Sequence, residues 1–119
     1  STFGGGPLVS KSAYAVLRAI QKEKLLQNAN KMGEYLREKL NSLKERYPGL
    51  IKEIRGMGLM LGLELNREGR IVVEECQRRG LLINCTQERV LRIMPALNVT
   101  KKQIGEAIKI LEEVFKDLK

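Results

Sequence analysis

Three places along the chain carry side chains able to do chemistry. Ser1 and Thr2 stand before Phe3 and the triplet Gly4-Gly5-Gly6, and Pro7 then supplies a φ suited to the first turn of a helix. Hydroxyls and free backbone N–H groups ahead of a helix N-terminus can receive a phosphate. The same residues also read as a loose terminus followed by a cap, and the lysine of a nucleotide-binding P-loop is missing. Arg92 lies in the middle of Val90-Leu91-Arg92-Ile93-Met94-Pro95. A guanidinium there either points to solvent from an open sheet face or binds a carboxylate through two parallel hydrogen bonds. Arg55, beside Gly56, offers the same two readings, with a structural role as the first of them.

Other chemistry is excluded or explained by spacing. The chain holds no histidine, which removes imidazole acid–base catalysis, Ser-His or Cys-His nucleophiles and histidine metal sites. Cys76 and Cys85 sit in apolar segments without the paired spacing of a zinc site. They read as reduced core thiols, and no metal is expected. Glu74 and Glu75 fall four residues before Arg78 and Arg79, a spacing for ion pairs on a helix surface rather than for an acid–base pair. The net charge of +8 over 119 residues admits nucleic acid as a partner. The basic residues nevertheless alternate with acids, as in Lys22-Glu23-Lys24 and Arg37-Glu38-Lys39, which describes solvated helical faces. A missing acidic partner domain would also account for the excess. No apolar run is long enough to span a membrane, so neither nucleic acid nor membrane is expected as a partner, and a cytoplasmic location is.

The elements that must position these residues follow from periodicity. Apolar residues at helical steps predict a helix over 8–23 and a second from Leu25 to Tyr47, where Pro48-Gly49 stops it. The stretch from Leu50 to Leu65 is read as one strand, in which Gly56, Gly58 and Gly62 mark a bulge or a close backbone approach. A short helix over 67–79 ends at Gly80, and Leu81 to Thr86 and Val90 to Met94 form a hairpin about Gln87-Glu88-Arg89. Thr100 and Gln103 form a capping box for a last helix with an apolar stripe from Ile104 to Leu118. The expected fold is α+β: a small sheet of about three strands covered on one face by helices.

Three segments together resemble the class III aminotransferases. They are Ser1-Thr2-Phe3-Gly4-Gly5 with Pro7-Leu8, the run from Ile54 to Gly62, and Gly80-Leu81-Leu82-Ile83-Asn84-Cys85-Thr86 leading to Leu91-Arg92-Ile93-Met94-Pro95-Ala96-Leu97. The resemblance covers the whole chain in the family's order. It implies a C-terminal small domain of a fold type I enzyme, with 1–7 as a cofactor-side loop, 8–49 as two helices and 50–119 as the sheet region. It further implies pyridoxal phosphate as cofactor, amino-acid and 2-oxo-acid substrates, and a homodimer with its sites at the subunit interface.

By the same resemblance Thr2 would contact the cofactor phosphate of the neighbouring subunit, Ser1 would lie by the substrate, and Arg92 would receive the substrate α-carboxylate. Gly6 departs from the family, which usually has Asn there. The cofactor-bearing lysine and the aspartate facing the pyridine nitrogen lie upstream of Ser1 in the family, and no lysine here matches. The chain alone is therefore expected to be inactive. The segment Leu82-Ile83-Asn84-Cys85 leans toward members acting on N-acetylornithine with 2-oxoglutarate, in arginine biosynthesis. Ornithine, 4-aminobutyrate or another ω-amino substrate is the alternative within the family, and a basic stand-alone interaction module is the alternative outside it.

Overall fold

A computed structural model describes residue 2 and residues 4–118. Helix α1 spans Pro7–Lys22 and α2 spans Leu25–Arg46. The break between them is one left-handed residue, Lys24, at φ 53°. After α2 the chain forms β1 (Ile51–Met57) and β2 (Met60–Leu65), then α3 (Arg70–Arg78), β3 (Asn84–Thr86), β4 (Val90–Ile93) and α4 (Lys101–Asp117). The capping box at α4 is formed: the Gln103 N–H donates to Thr100 Oγ1 at 3.3 Å, and the Thr100 N–H donates to Gln103 Oε1 at 2.9 Å. Gly80, just past α3, has φ 83°, the left-handed geometry that glycine adopts without a steric cost.

The strands form one antiparallel sheet in the order β1-β2-β4-β3. The expected three strands are four, because Leu50 to Leu65 is a hairpin rather than one strand. Gly58, at φ 51°, reverses the chain, and Gly56, at φ 130°, could not carry a Cβ without striking the Met60 carbonyl. Gly58 also answers the expectation of a close backbone approach, since a Cβ on Gly33 of α2 would collide with its backbone. The irregularity in the ladder falls instead between Ile51 and Glu53, at Lys52.

Alternation along the strands separates two faces. On β2, Leu61, Leu63 and Leu65 are buried while Met60 is exposed and Gly62 and Glu64 are partly so. The covered face meets Leu36, Leu40 and Leu43 of α2 and Ile104, Leu111, Val114 and Phe115 of α4 in a single core. Each fully buried Leu contributes about 1.5–3 kcal/mol by leaving water, so this face holds the domain together. Helix α1 is different: it buries no side chain and leaves Leu8, Val16 and Leu17 exposed. No helix is long and apolar enough to cross a membrane among the described residues.

Candidate functional site

The uncovered face of the sheet places Arg92 in a row running across all four strands. The register pairs Arg55 with Gly62, Gly62 with Arg92, and Arg92 with Asn84. Leu91, one residue before Arg92, faces the core and is fully buried, so strand alternation alone turns the guanidinium outward. Gly62 leaves the lane between the two arginines open, and a Cβ there would sit 3.2 Å from Val90 Cγ1.

The two arginines have opposite surroundings. Arg55 Nη1 donates to Glu64 Oε2 and, at 3.1 Å, to Glu53 Oε2. Lys52 adds a second cation to Glu64 at 2.6 Å. Hydrogen bonds from Lys52 first and Arg55 second hold the Glu64 carboxyl below the usual carboxylate range, and the bond to Glu64 holds the Arg55 guanidinium above its ordinary value. Arg55 is thus a structural partner, as its first reading had it. Arg92 enters no ion pair among the described residues; its Nε donates to the neutral Asn84 Oδ1 at 3.2 Å. The Nη groups stay available to an anion. Its other reading, a solvent-pointing residue, fits its exposure, and an exposed Arg without a carboxylate is also what a substrate carboxylate requires.

Thr2 is exposed in the turn that leads to α1. Gly6 caps that helix with no side-chain hydrogen bond, Pro7 opens it, and no acidic residue lies in its first turn. A hydroxyl, uncapped N–H groups and no competing carboxylate form a donor set that fits a phosphate. Ser1 and Phe3 of the same motif lie outside the described residues. No hydrogen bond joins Thr2 to the Arg92 row among the described residues, and α1 packs against α2 rather than the sheet. The chain therefore does not bring its two candidate groups together.

The remaining candidates are settled locally. Glu75 pairs with Arg78 at 2.5 Å and with Arg79 at 3.8 Å, while Glu74 pairs with Arg70 rather than Arg78. Cys76 and Cys85 are both free. Burial pushes the Cys76 thiol up to about 11 and raises Cys85, which is half-buried, in the same direction. A raised pKa makes a poor nucleophile near neutrality. The cleft between the ends of α2 and α4 contains Arg46 and Arg67, but Arg46 is paired with Glu112 and Arg67 donates to the Leu118 carbonyl. Sequence reasoning missed Asn84 as the partner of Arg92. The signal was there: a three-residue loop centred on Glu88 puts residue 84 opposite residue 92.

With this geometry established, likeness to known proteins defines the class. The family model for aminotransferase class III matches residues 1–115. An acetylornithine aminotransferase of Methanosarcina mazei is 42% identical over 113 residues, which are 95% of this chain and 28% of that protein. Among solved structures, acetylornithine aminotransferase from Elizabethkingia anophelis superposes with a TM-score of 0.92 at 32% identity, over 98% of this chain and 32% of the other. The ornithine aminotransferase of Toxoplasma gondii superposes with a TM-score of 0.90 at 31% identity, over 99% of this chain and 29% of the other. The chain belongs to the class III aminotransferase family, and it spans under a third of the length of these relatives. Aminotransferases of this class are in general dependent on pyridoxal phosphate.

Proposed function

We propose that this chain is the C-terminal part of a pyridoxal-phosphate-dependent transaminase that moves an amino group between N-acetylornithine and 2-oxoglutarate in arginine biosynthesis, working as a cytoplasmic homodimer. The observation that carries the proposal is Arg92: within a chain of this family, it is the guanidinium on the open face whose Nη groups have no carboxylate partner among the described residues. Likeness to acetylornithine aminotransferases at about 40% identity supports the substrate.

Bound pyridoxal phosphate would supply the electron sink at the carbon that carries the exchanged amino group: the terminal carbon of N-acetylornithine, whose α-nitrogen is acylated, and the α-carbon of glutamate and 2-oxoglutarate. This chain's residues bind and orient. Arg92 would hold the substrate carboxylate by a bidentate pair, fixing the carbon that exchanges the amino group relative to the cofactor ring. The Thr2 hydroxyl would donate to the cofactor phosphate of the neighbouring subunit, and Ser1 is assigned to the substrate by the family resemblance alone. Proton transfer at the reacting carbon would belong to the cofactor-bearing lysine, and no lysine in this chain matches that position. The chain alone is inactive on this account. Incubated with pyridoxal phosphate, N-acetylornithine and 2-oxoglutarate, it gives no turnover and retains no cofactor absorbance after gel filtration; stoichiometric turnover would contradict the proposal.

A second reading keeps the site and changes the amino donor to ornithine, favoured by the likeness to the Toxoplasma gondii ornithine aminotransferase. Relative kcat/KM values of the full-length protein for N-acetylornithine, ornithine and 4-aminobutyrate decide between them. The first reading requires N-acetylornithine to lead.

A further inference from the structure

The row on the open sheet face holds one more residue with a task. Asn84 faces Arg92 directly in the β3–β4 register, and its Oδ1 accepts from Arg92 Nε at 3.2 Å. A guanidinium can receive a carboxylate along its Nη1/Nη2 edge or along its Nε/Nη2 edge. An acceptor on Nε closes the second edge and leaves the first. On the other side of Arg92 stands Gly62, which has no side chain to offer, and the carboxylates of the adjacent cross-strand row, Glu53 and Glu64, are engaged with Arg55 and Lys52. The one described side chain hydrogen-bonded to Arg92 is thus neutral.

We infer that Asn84 is a positioning residue: it fixes the Arg92 guanidinium through Nε and presents the Nη1/Nη2 edge to the substrate carboxylate without neutralising its charge. The inference rests on the reading of Arg92 as the carboxylate receptor. It explains why the partner is an amide. An aspartate of the same shape would make the same hydrogen bond but would turn Arg92 into an ion pair, as Arg55 is, and compete with the substrate. An apolar residue would leave Nε free and the guanidinium able to rotate, adding an ordering cost to binding.

The test uses the full-length, cofactor-loaded protein and glutarate, a dicarboxylate that cannot react, with its dissociation constant measured by calorimetry and KM and kcat for 2-oxoglutarate alongside. Arg92→Ala weakens glutarate binding by about 100-fold or more, Asn84→Asp by about tenfold or more, and Asn84→Ala by about threefold to fivefold. In both Asn84 variants KM rises further than kcat falls, and the melting temperature and cofactor absorbance are kept. The order of the two Asn84 variants is decisive, because a residue that merely fills space tolerates the isosteric Asp better than Ala. If Asn84→Asp binds glutarate as well as Asn84→Ala or better, while Arg92→Ala is weakened, the role of Asn84 is overturned and that of Arg92 stands. If Arg92→Ala binds glutarate like the wild type, the carboxylate reading itself is overturned.

Discussion

Arg55 and Arg92 lie in one cross-strand row on one face of one sheet, separated by Gly62 alone, yet they are different kinds of residue. Arg55 is held by Glu53 and Glu64; Arg92 is held by an amide. A charge already matched by the fold stabilises register and has little to offer a ligand. A charge oriented by a neutral group keeps its attraction for an anion. Exposure does not distinguish the two, since both side chains face solvent; the partner does. The same contrast separates the two faces of β4, where Leu91 belongs to the core and Arg92 to the site.

The strongest way to break this comparison is to exchange a residue from each side of it. Leu91→Ala should cost about 2–5 kcal/mol of stability, by lost transfer energy and the cavity left in a close-packed core, measured by urea denaturation of the isolated chain. Arg92→Ala should shift the same curve by less than about 0.5 kcal/mol, as surface substitutions usually do. A large loss on Arg92→Ala would make it a structural residue.

Smaller effects sharpen the account of what positions the row. Thr100→Ala removes the capping box of α4, and the cost expected for such a cap is about 1 kcal/mol, again read from urea denaturation. The thiols supply a pH test. Burial favours the neutral Cys76 thiol, so its pKa is raised from 9.0 to about 11 in the fold. The unfolded chain loses this proton first, so the contribution of Cys76 to stability is level below pH 9 and falls between pH 9 and 11 with a slope of up to about 1.4 kcal/mol per pH unit. Cys76→Ala should remove most of that slope. Smallest in energy is a labelling test: near neutral pH a maleimide should reach half-buried Cys85 well before buried Cys76, resolved by mass spectrometry of the peptides.

Much of this was legible before any coordinates. The helices carry long apolar stripes, and their ends are marked by Pro7, by Pro48-Gly49 and by the Thr100–Gln103 box, so period and capping suffice to place them. The first hairpin was not read, because Met57 to Leu63 is apolar throughout and alternation is hidden where both Met and Leu occupy successive positions. Length was the available warning: a strand of that extent exceeds the usual three to ten residues, and Gly58 was the place to fold it. Of the site, Arg92 stood out as a charge among apolar neighbours, and the family resemblance gave it a partner. A structural role was the first reading for Arg55, but the ion pairs that give it that role were not legible, because they depend on Glu53 and Glu64 meeting across strands that the sequence reading had joined into one. Cys85 was read as a core thiol and is only half-buried, since β3 lies at the sheet edge. Ser1 cannot be weighed in the same way, as it lies outside the described residues.

The most direct measurement compares kcat/KM for 2-oxoglutarate in Arg92→Ala and Arg55→Ala of the full-length protein. Loss of a bidentate carboxylate contact should lower the value by about 100-fold or more in Arg92→Ala, against less than about threefold in Arg55→Ala, whose exposed ion pairs contribute little. Equal losses in the two variants, or a larger one in Arg55→Ala, would contradict the assignment of Arg92 as the carboxylate receptor.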